Sequence, residues 1–256
     1  MTVEASPRPP AHLKIHLGCA GWNLPRALQG RFPTKGTHLE RYAALLPAVE
    51  INSSFYRPHR SSTYARWARS VPTSFRFSVK IPQAITHERR LANAQALLDD
   101  FLKEVTALGD RLGCLLIQLP PSLGFNARVA RDFLEDFRER HDGAIALEPR
   151  HQDWFTAEAD GLLGALRIAR VRADPVLALG GIDAGGWPEL AYYRLHGAPR
   201  IYYSSYGEPI LNAIANRLVA AAKHGMSVWC IFDNTALGAA VENSLDLLQK
   251  TGGIRG

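Results

Sequence analysis

At 256 residues, with 46% hydrophobic and 21% charged side chains, the chain has the make-up of globular material able to bury a sizeable core, as one large domain or two small ones. No apolar run approaches the roughly 20 residues of a membrane-spanning helix, and the N-terminal stretch MTVEASPRPPAH lacks a secretory-signal pattern, so no membrane partner and a cytoplasmic location are expected. The net charge of +6 suits an anionic ligand, from a phosphorylated metabolite to nucleic acid, although the basic residues form no tail.

Residues 1–12, with Pro7, Pro9 and Pro10, read as a disordered tail. Residues 13–252 read as one domain built from eight β-branched or aliphatic stretches. IHLGC (15–19) is the first, and THLERYAALL (37–46) after it predicts a helix opened by a capping box of Thr37 and Glu40. AVEIN (48–52) is followed by SSTYARWARS, and FRFSVK (75–80) by the long LANAQALLDDFLKEVTAL (91–108). CLLIQL (114–119) precedes ARVARDFLEDFRERH, and AIALE (144–148) and ARVRAD (169–174) are the fifth and sixth strands. In DPVLALGGIDAGGWPEL (174–190) glycines stand where a helix should be, so a loop is expected there. AYYRLH (191–196) leads to the helical EPILNAIANRLVAAAKHG, and VWCIFD (228–233) to TALGAAVENSLDLLQK. Strand–helix alternation of this kind predicts an α/β fold, a single (β/α)8 TIM-type barrel of eight parallel strands with the helix after strand six reduced to a loop. An open doubly wound sheet is the weaker fit, because GCAGW lacks the G-x-G-x-x-G spacing.

Side chains alternate along a strand, so parity sorts them into two faces. The helix-facing set must be apolar, which turns the polar set inward, toward the carboxyl ends where barrel enzymes place their chemistry. That set comprises Glu50 and Asn52 on strand two, Arg76, Ser78 and Lys80 on strand three, Gln118 on strand four and Glu148 on strand five. Strand six adds Arg170, Arg172 and Asp174, strand seven Tyr192, Arg194 and His196, and strand eight Asp233. Trp22, Phe55, Tyr56, His87, Arg150, His151, Trp154 and Asn234 come from the loops above, where aromatic faces beside guanidinium groups suit a planar or sugar-like ligand with an anionic group. His16 reads as structural. The same charges could instead pair in a buried ring, Glu50, Glu148, Asp174 and Asp233 against Lys80, Arg172, Arg194 and His196. Buried ion pairs add little net stability, however, which favours a functional pocket.

Two reactive readings and one binding reading follow. In the first, an enzyme of the hydrolase or lyase class acts on a small anionic or sugar-like substrate. Glu50, Glu148, His196 and Asp233 are its candidate catalytic groups: Glu148 or Glu50 is the acid or base, and His196 shuttles a proton. The ligand-binding set is Trp22, Asn52, Tyr56, Lys80, His87, Gln118, Arg150, Trp154, Asp174, Arg194 and Asn234. In the second, the protein binds nucleic acid, as a metal-dependent nuclease. Too few histidines converge for a multinuclear zinc site, so a divalent metal is not favoured, although one ion held by oxygen stays open. The third is a non-catalytic ligand-binding protein. No nucleotide-cofactor motif is present, nor HExxH, GxSxG or CxxC. Cys19, Cys114 and Cys230 are scattered in apolar stretches, which argues against a disulfide frame.

The run GCAGW, VEINSSFYR, WARSVPTSFRFSVKIPQAITHERRL, LGCLLIQLPPSL, ALEPRHQDWF, YYRLHG and FDNTALGAAVENS resembles the YecE-like family, a domain of unknown function 72, over about residues 14 to 250. The resemblance implies a TIM-type barrel and, through a fold relationship to endonuclease IV, nucleic acid as a ligand. The family motifs at Glu50, Lys80, Glu148, Arg150, Arg194, His196 and Asp233 are intact. The sequence departs from the pattern at Cys19, where Ser or Thr is usual, and at Asn23-Leu24-Pro25, where aromatic residues usually follow the first tryptophan.

Overall fold

A computed structural model describes residues 14–176, 181 and 183–252. The expected tail lies outside the described residues, as does part of the glycine-rich segment. Ten strands and seven α-helices are described, in chain order: β1 (Ile15–Cys19), α1 (His38–Ala43), β2 (Ala48–Ile51), α2 (Ser61–Arg69), β3 (Arg76–Lys80), α3 (Gln95–Val105), β4 (Leu112–Gln118), α4 (Ala127–Arg140), β5 (Ile145–Glu148), α5 (Ala157–Ala165), β6 (Ile168–Arg170), β7 (Arg172–Asp174), β8 (Gly185–Gly186), β9 (Leu190–Leu195), α6 (Glu208–Lys223), β10 (Ser227–Phe232) and α7 (Ala239–Lys250).

These strands form two sheets, ordered β2-β3-β4-β5-β6-β8 and β1-β10-β9-β7. All pairings are parallel except that of β8 with β6, which is antiparallel. The fold is therefore mixed α/β with parallel sheets, and strand six is interrupted: Ile168–Arg170 pairs with β5 and Arg172–Asp174 with β9. The expectation of eight uninterrupted parallel strands is corrected on both points. Two seams join the sheets, Val171 between β6 and β7 and a parallel bridge between Ala20 and Glu50.

Beside that bridge, backbone pairing gives way to a side chain. The Tyr42 hydroxyl, delivered by α1, donates to the Ala48 carbonyl at 3.0 Å and accepts from the Cys19 amide at 2.8 Å. Gly18 makes room, because a Cβ there would stand 1.9 Å from the Ala48 oxygen. One buried phenol thus satisfies two backbone groups that would otherwise be unpaired, each worth about 1–3 kcal/mol if left so.

Local chemistry sets the helix ends. Both bonds of the capping box on α1 are present, Asn126 caps α4 through Val129, and Thr156 caps α5 through Ala159. Two helices start several residues later than their sequence patterns. Positive φ at Arg90, Leu91 and Asn93 delays α3 to Gln95, and Gly238 at φ 83° delays α7 to Ala239. Among the described residues no helix is long and apolar enough to cross a membrane.

Ala48, Cys114, Leu116, Ala146, Ala169, Val171, Tyr192, Trp229 and Ile231 form an apolar cluster separate from the larger core under the helices. Alternation from this cluster carries the chain to Glu50, Glu148, Arg194 and Asp233, one pleat further on. Strand six breaks the expected parity. Ala169 and Val171 face the apolar cluster, while Arg170 turns to Asp160 of α5 at 2.7 Å. Alternation tells which residues share a face; here a carboxylate on the helix side chose which face the arginine took.

Candidate active site at the carboxyl strand ends

Arg194, the fifth residue of β9, is fully buried. Its Nε and Nη2 donate to the two oxygens of Glu50 at 3.0 and 2.7 Å, its Nη1 to Glu148 Oε2 at 2.6 Å, and its Nη2 also to Asp233 Oδ2 at 3.1 Å. Parallel strands make this possible, because neighbouring strands end level: Arg194 stands in register with Ile231, two residues before Asp233, and Glu148 with Gln118. Burial disfavours any charge, yet the three carboxylates hold the Arg194 pKa well above its usual value.

His196 lies between two of the same carboxylates, with Nδ1 3.0 Å from Asp233 Oδ2 and Nε2 2.9 Å from Glu148 Oε1. Burial lowers its proton affinity, but Glu148 and Asp233 outweigh burial and raise the pKa above 6.5. Both ring nitrogens thus face carboxylate oxygens, an arrangement that favours the protonated ring. Arg150 Nη1 donates to Glu148 Oε1 at 2.7 Å and lies 3.1 Å from His196 Nε2. With the ring protonated, the second distance is a contact between two donors that share one acceptor.

The carboxylates differ in what remains free. Burial would raise the Glu148 pKa, but Arg194, His196 and Arg150 hold it well below the usual range, and both its oxygens accept charged donors. Glu50 is likewise filled, by Arg194 and by the Tyr192 hydroxyl at 3.0 Å, which also lies 2.7 Å from Ser78 Oγ. Asp233 Oδ2 accepts from Arg194 and lies 3.0 Å from His196 Nδ1, while among the described residues its Oδ1 has no hydrogen bond. Burial opposes ionisation here too, and Arg194 with His196 keeps the Asp233 pKa below its usual value.

Lys80 ends β3 and is 5% exposed. Its Nζ lies 3.8 Å from the centroid of the Phe55 ring, a cation–π contact. Among the described residues it has no hydrogen-bonded or ion-paired partner. Burial, then the charge of Arg194, lower its pKa to about 8, against the opposing pull of Glu50, Glu148 and Asp233. The edge of His87 meets the same Phe55 ring at a centroid distance of 4.9 Å, and burial with the charge of Lys80 lowers the His87 pKa.

The remaining expected residues divide. Trp22 and Asn52 line a cavity of about 400 Å³ beside β1 and β2, and Asn52 Oδ1 is buried without a partner among the described residues. Tyr56 is exposed on the rim. A second cavity, of about 460 Å³, runs along Phe55, Tyr64, Pro82 and Phe101. The residues lining the two cavities do not include the charged centre, and Phe55 both lines the larger one and carries the Lys80 contact. Gln118 sits beside Glu148 in register.

Three of the expected ligand-binding residues have partners within the fold. Trp154 is 1% exposed, packs edge-on against Phe125 and donates to the Leu123 carbonyl at 3.0 Å, so it builds a loop. Asn234 is fully buried and donates to Ser204 and Asn243, tying the loop after β9 to α7. Asp174 accepts from the Tyr206 hydroxyl at 2.7 Å and does not join the Arg194 cluster. The polar residues read as a pocket are in large part the ion-pair ring read as its alternative, with Glu50, Glu148 and Asp233 on Arg194 and His196. Ser78 and the face of Phe55 are site features that parity brought near but did not single out. Among the described residues no group of three or more His, Cys, Asp and Glu side chains is placed to hold a metal ion.

A family model described as protein of unknown function DUF72 matches residues 16–254. UPF0759 protein YecE of Escherichia coli K12 is 30% identical over 110 residues, 43% of this chain and 39% of that protein. UPF0759 protein YunF of Bacillus subtilis 168 is 24% identical over 148 residues, 56% of this chain and 52% of that protein. The matches thus span about two fifths to a half of these relatives' lengths. A DUF72 family protein from Enterococcus faecalis V583 superposes with a TM-score of 0.79 at 22% identity, over 93% of this chain and 95% of that one. One from Thermotoga maritima MSB8 gives 0.75 at 22% identity, over 92% and 98%.

Proposed function

The chain belongs to the DUF72 family of proteins of unknown function, and from that premise we propose that it is an enzyme of the hydrolase or lyase class acting on a small anionic or sugar-like substrate at the carboxyl ends of its strands. In this reading the two sheets form one TIM-like barrel, joined at Val171 and at Ala20–Glu50, and the polar cluster is its mouth. The observation that carries the proposal is a charge imbalance. With His196 protonated, as its two carboxylate neighbours favour, Glu50, Glu148 and Asp233 face the three cations Arg194, His196 and Arg150, which leaves Lys80 in surplus. A buried surplus cation is unfavourable alone and is relieved by an anion.

The free groups set the roles. Arg150 uses only Nη1 on Glu148, so its Nε and Nη2 can grip a carboxylate or phosphate as a fork. Lys80 adds the balancing charge. Asp233 Oδ1 is the carboxylate oxygen still able to accept from a substrate hydroxyl. His196 is the proton store, and Glu50 and Glu148, with every oxygen engaged, keep Arg194 and His196 charged and in place.

Thermal denaturation in phosphate, pyruvate and glucose 6-phosphate, each against a matched chloride control, tests this reading. At least one anion should raise the Tm, and the rise should disappear in Arg150→Ala. A Tm unmoved by every anion, or raised equally in the variant, removes the anion site.

A further inference from the structure

Lys80 differs in kind from the other lysines of the chain. Lys14, Lys35, Lys103 and Lys223 are exposed and Lys250 is half-buried, whereas Lys80 is inserted between the Phe55 face and the Arg194 cluster. A cluster that binds carboxylates so densely could have given this ammonium an acceptor. Instead the nearest defined contact is an aromatic ring, and the polar partner of the Lys80 residue is its own carbonyl, which accepts from Ser54 Oγ at 2.6 Å. Desolvation beside a second cation is the arrangement that strips an amine of its proton and frees its lone pair for attack on a carbonyl carbon. A lysine meant only to hold an anion gains nothing from losing its charge.

We propose that Lys80 is a Schiff-base nucleophile that forms an imine with a small oxo acid, the acid's carboxylate being held by Arg150. The proposal rests on the anion-site reading above and names its substrate class. The neutral amine attacks the carbonyl carbon, forming the C–N bond while the C=O π pair moves to oxygen, which takes a proton. The nitrogen lone pair of this carbinolamine then forms C=N as the hydroxyl, protonated a second time, leaves as water. The two protons lost by the lysine ammonium are the two gained by the departing oxygen, so oxo acid and ammonium give iminium and water with the charge unchanged. The protons taken up at the oxygen are the two that the ammonium gives up. His87, whose ring shares Phe55 with Lys80, is placed to accept one from nitrogen. The iminium withdraws electrons from the adjacent carbon, which suits the lyase half of the proposed function.

The depressed pKa of Lys80, about 8 against the ordinary 10.5, gives a rate expectation. Near pH 7 the neutral amine is on the order of 100-fold more abundant at Lys80 than on an ordinary lysine, partly offset by lower intrinsic nucleophilicity. The test treats the full chain with pyruvate and cyanoborohydride, which reduces an imine to a stable secondary amine, and maps adducts by peptide mass spectrometry. Modification of Lys80 should run about tenfold or more ahead of the other lysines. Acetone, of similar size without the carboxylate, should lack that preference, and Lys80→Arg should abolish the fast adduct while still unfolding cooperatively. Labelling of Lys80 no faster than of Lys14 or Lys103 overturns the imine. If any of pyruvate, phosphate or glucose 6-phosphate still raises the Tm of wild type and not of Arg150→Ala, the anion site survives that failure; if none does, both readings fall. Equal labelling of Lys80 by acetone and pyruvate overturns the oxo acid as substrate class.

Discussion

Arg194 and Lys80 are buried cations in one electrostatic neighbourhood, and the structure treats them oppositely. Arg194 meets three carboxylates in a planar fork of donors, and its pKa is raised well above the usual value. Lys80 feels the same carboxylates from a distance but touches a phenyl ring, and its pKa falls to about 8. Coulomb attraction weakens with distance while desolvation depends on burial alone, so a cation lacking a contacting acceptor loses the contest. The lesson is one of division: the guanidinium organises the cluster, and the amine is left poised to react.

Breaking the organised half should cost most. Arg194→Met strands three carboxylates in a buried site, and stability in urea should fall by about 3–5 kcal/mol, enough to unfold a marginal domain. A change below about 1 kcal/mol would mean that water or relaxation satisfies the carboxylates and that the cluster is not held by this residue.

The same half should dictate the pH dependence of stability. Glu148 and Asp233 have folded pKa values below their ordinary 4.5 and 3.8, so their contribution is present above those ordinary values and is lost as pH falls through the folded ones. His196 is raised above 6.5, so its contribution is full below 6.5 and is lost as pH rises through the folded value. Lys80 works the other way. Its depressed pKa penalises folding below about 8, and the penalty fades toward 10.5. Burial also lowers the pKa values of His16, His59, His87 and His141, which adds stability as pH rises to 6.5. Stability from urea melts should therefore peak near 6.5, decline as His196 loses its proton and recover above 8 as the Lys80 penalty fades. A profile still rising between about 7 and 8, above the range in which those four histidines contribute, would show that His196 is neutral in the fold.

How much of this was legible in the sequence follows from the same contrast. Alternation placed Glu50, Lys80, Glu148, Arg194, His196 and Asp233 together, because each lies on a parallel strand whose other parity is apolar and the strand ends are level. Alternation failed at β6 and β7, where Asp160 on α5 gave Arg170 a partner on the helix side. It failed again for Trp154 and Asn234, which follow strand ends but serve loops that fold back on the sheet. Which cation would be neutralised was beyond any pattern, since it turns on whether a carboxylate or Phe55 fills the last few ångströms. The seam at Tyr42 was equally hidden, because a single tyrosine on a helix carries no signal that its hydroxyl will stand in for a strand ladder.

Removing the unpaired cation should have the reverse sign to removing the paired one. Lys80→Met keeps the apolar contact with Phe55 and deletes a desolvated charge, so the variant should be more stable at pH 7, by about 1 kcal/mol. The gain should shrink as pH rises past 8. Equal destabilisation at every pH would instead mean that Lys80 balances the carboxylates and belongs with Arg194.

The smallest effect on stability is expected at Arg150, and it sharpens the comparison most finely. Its side chain is 13% exposed and makes one charged hydrogen bond, to an oxygen of Glu148 that His196 also serves. Arg150→Ala therefore leaves no acceptor unpaired, and its cost should stay near or below about 1 kcal/mol. The subtler consequence lies at His196. Arg150 and the imidazolium compete for Glu148 Oε1, and the guanidinium repels the second charge, so its removal should raise the His196 pKa further. Imidazole NMR titration of wild type and variant measures that rise directly. A fall would mean that Arg150 steadies Glu148 for His196 instead of competing for it, and that the cations of this cluster cooperate.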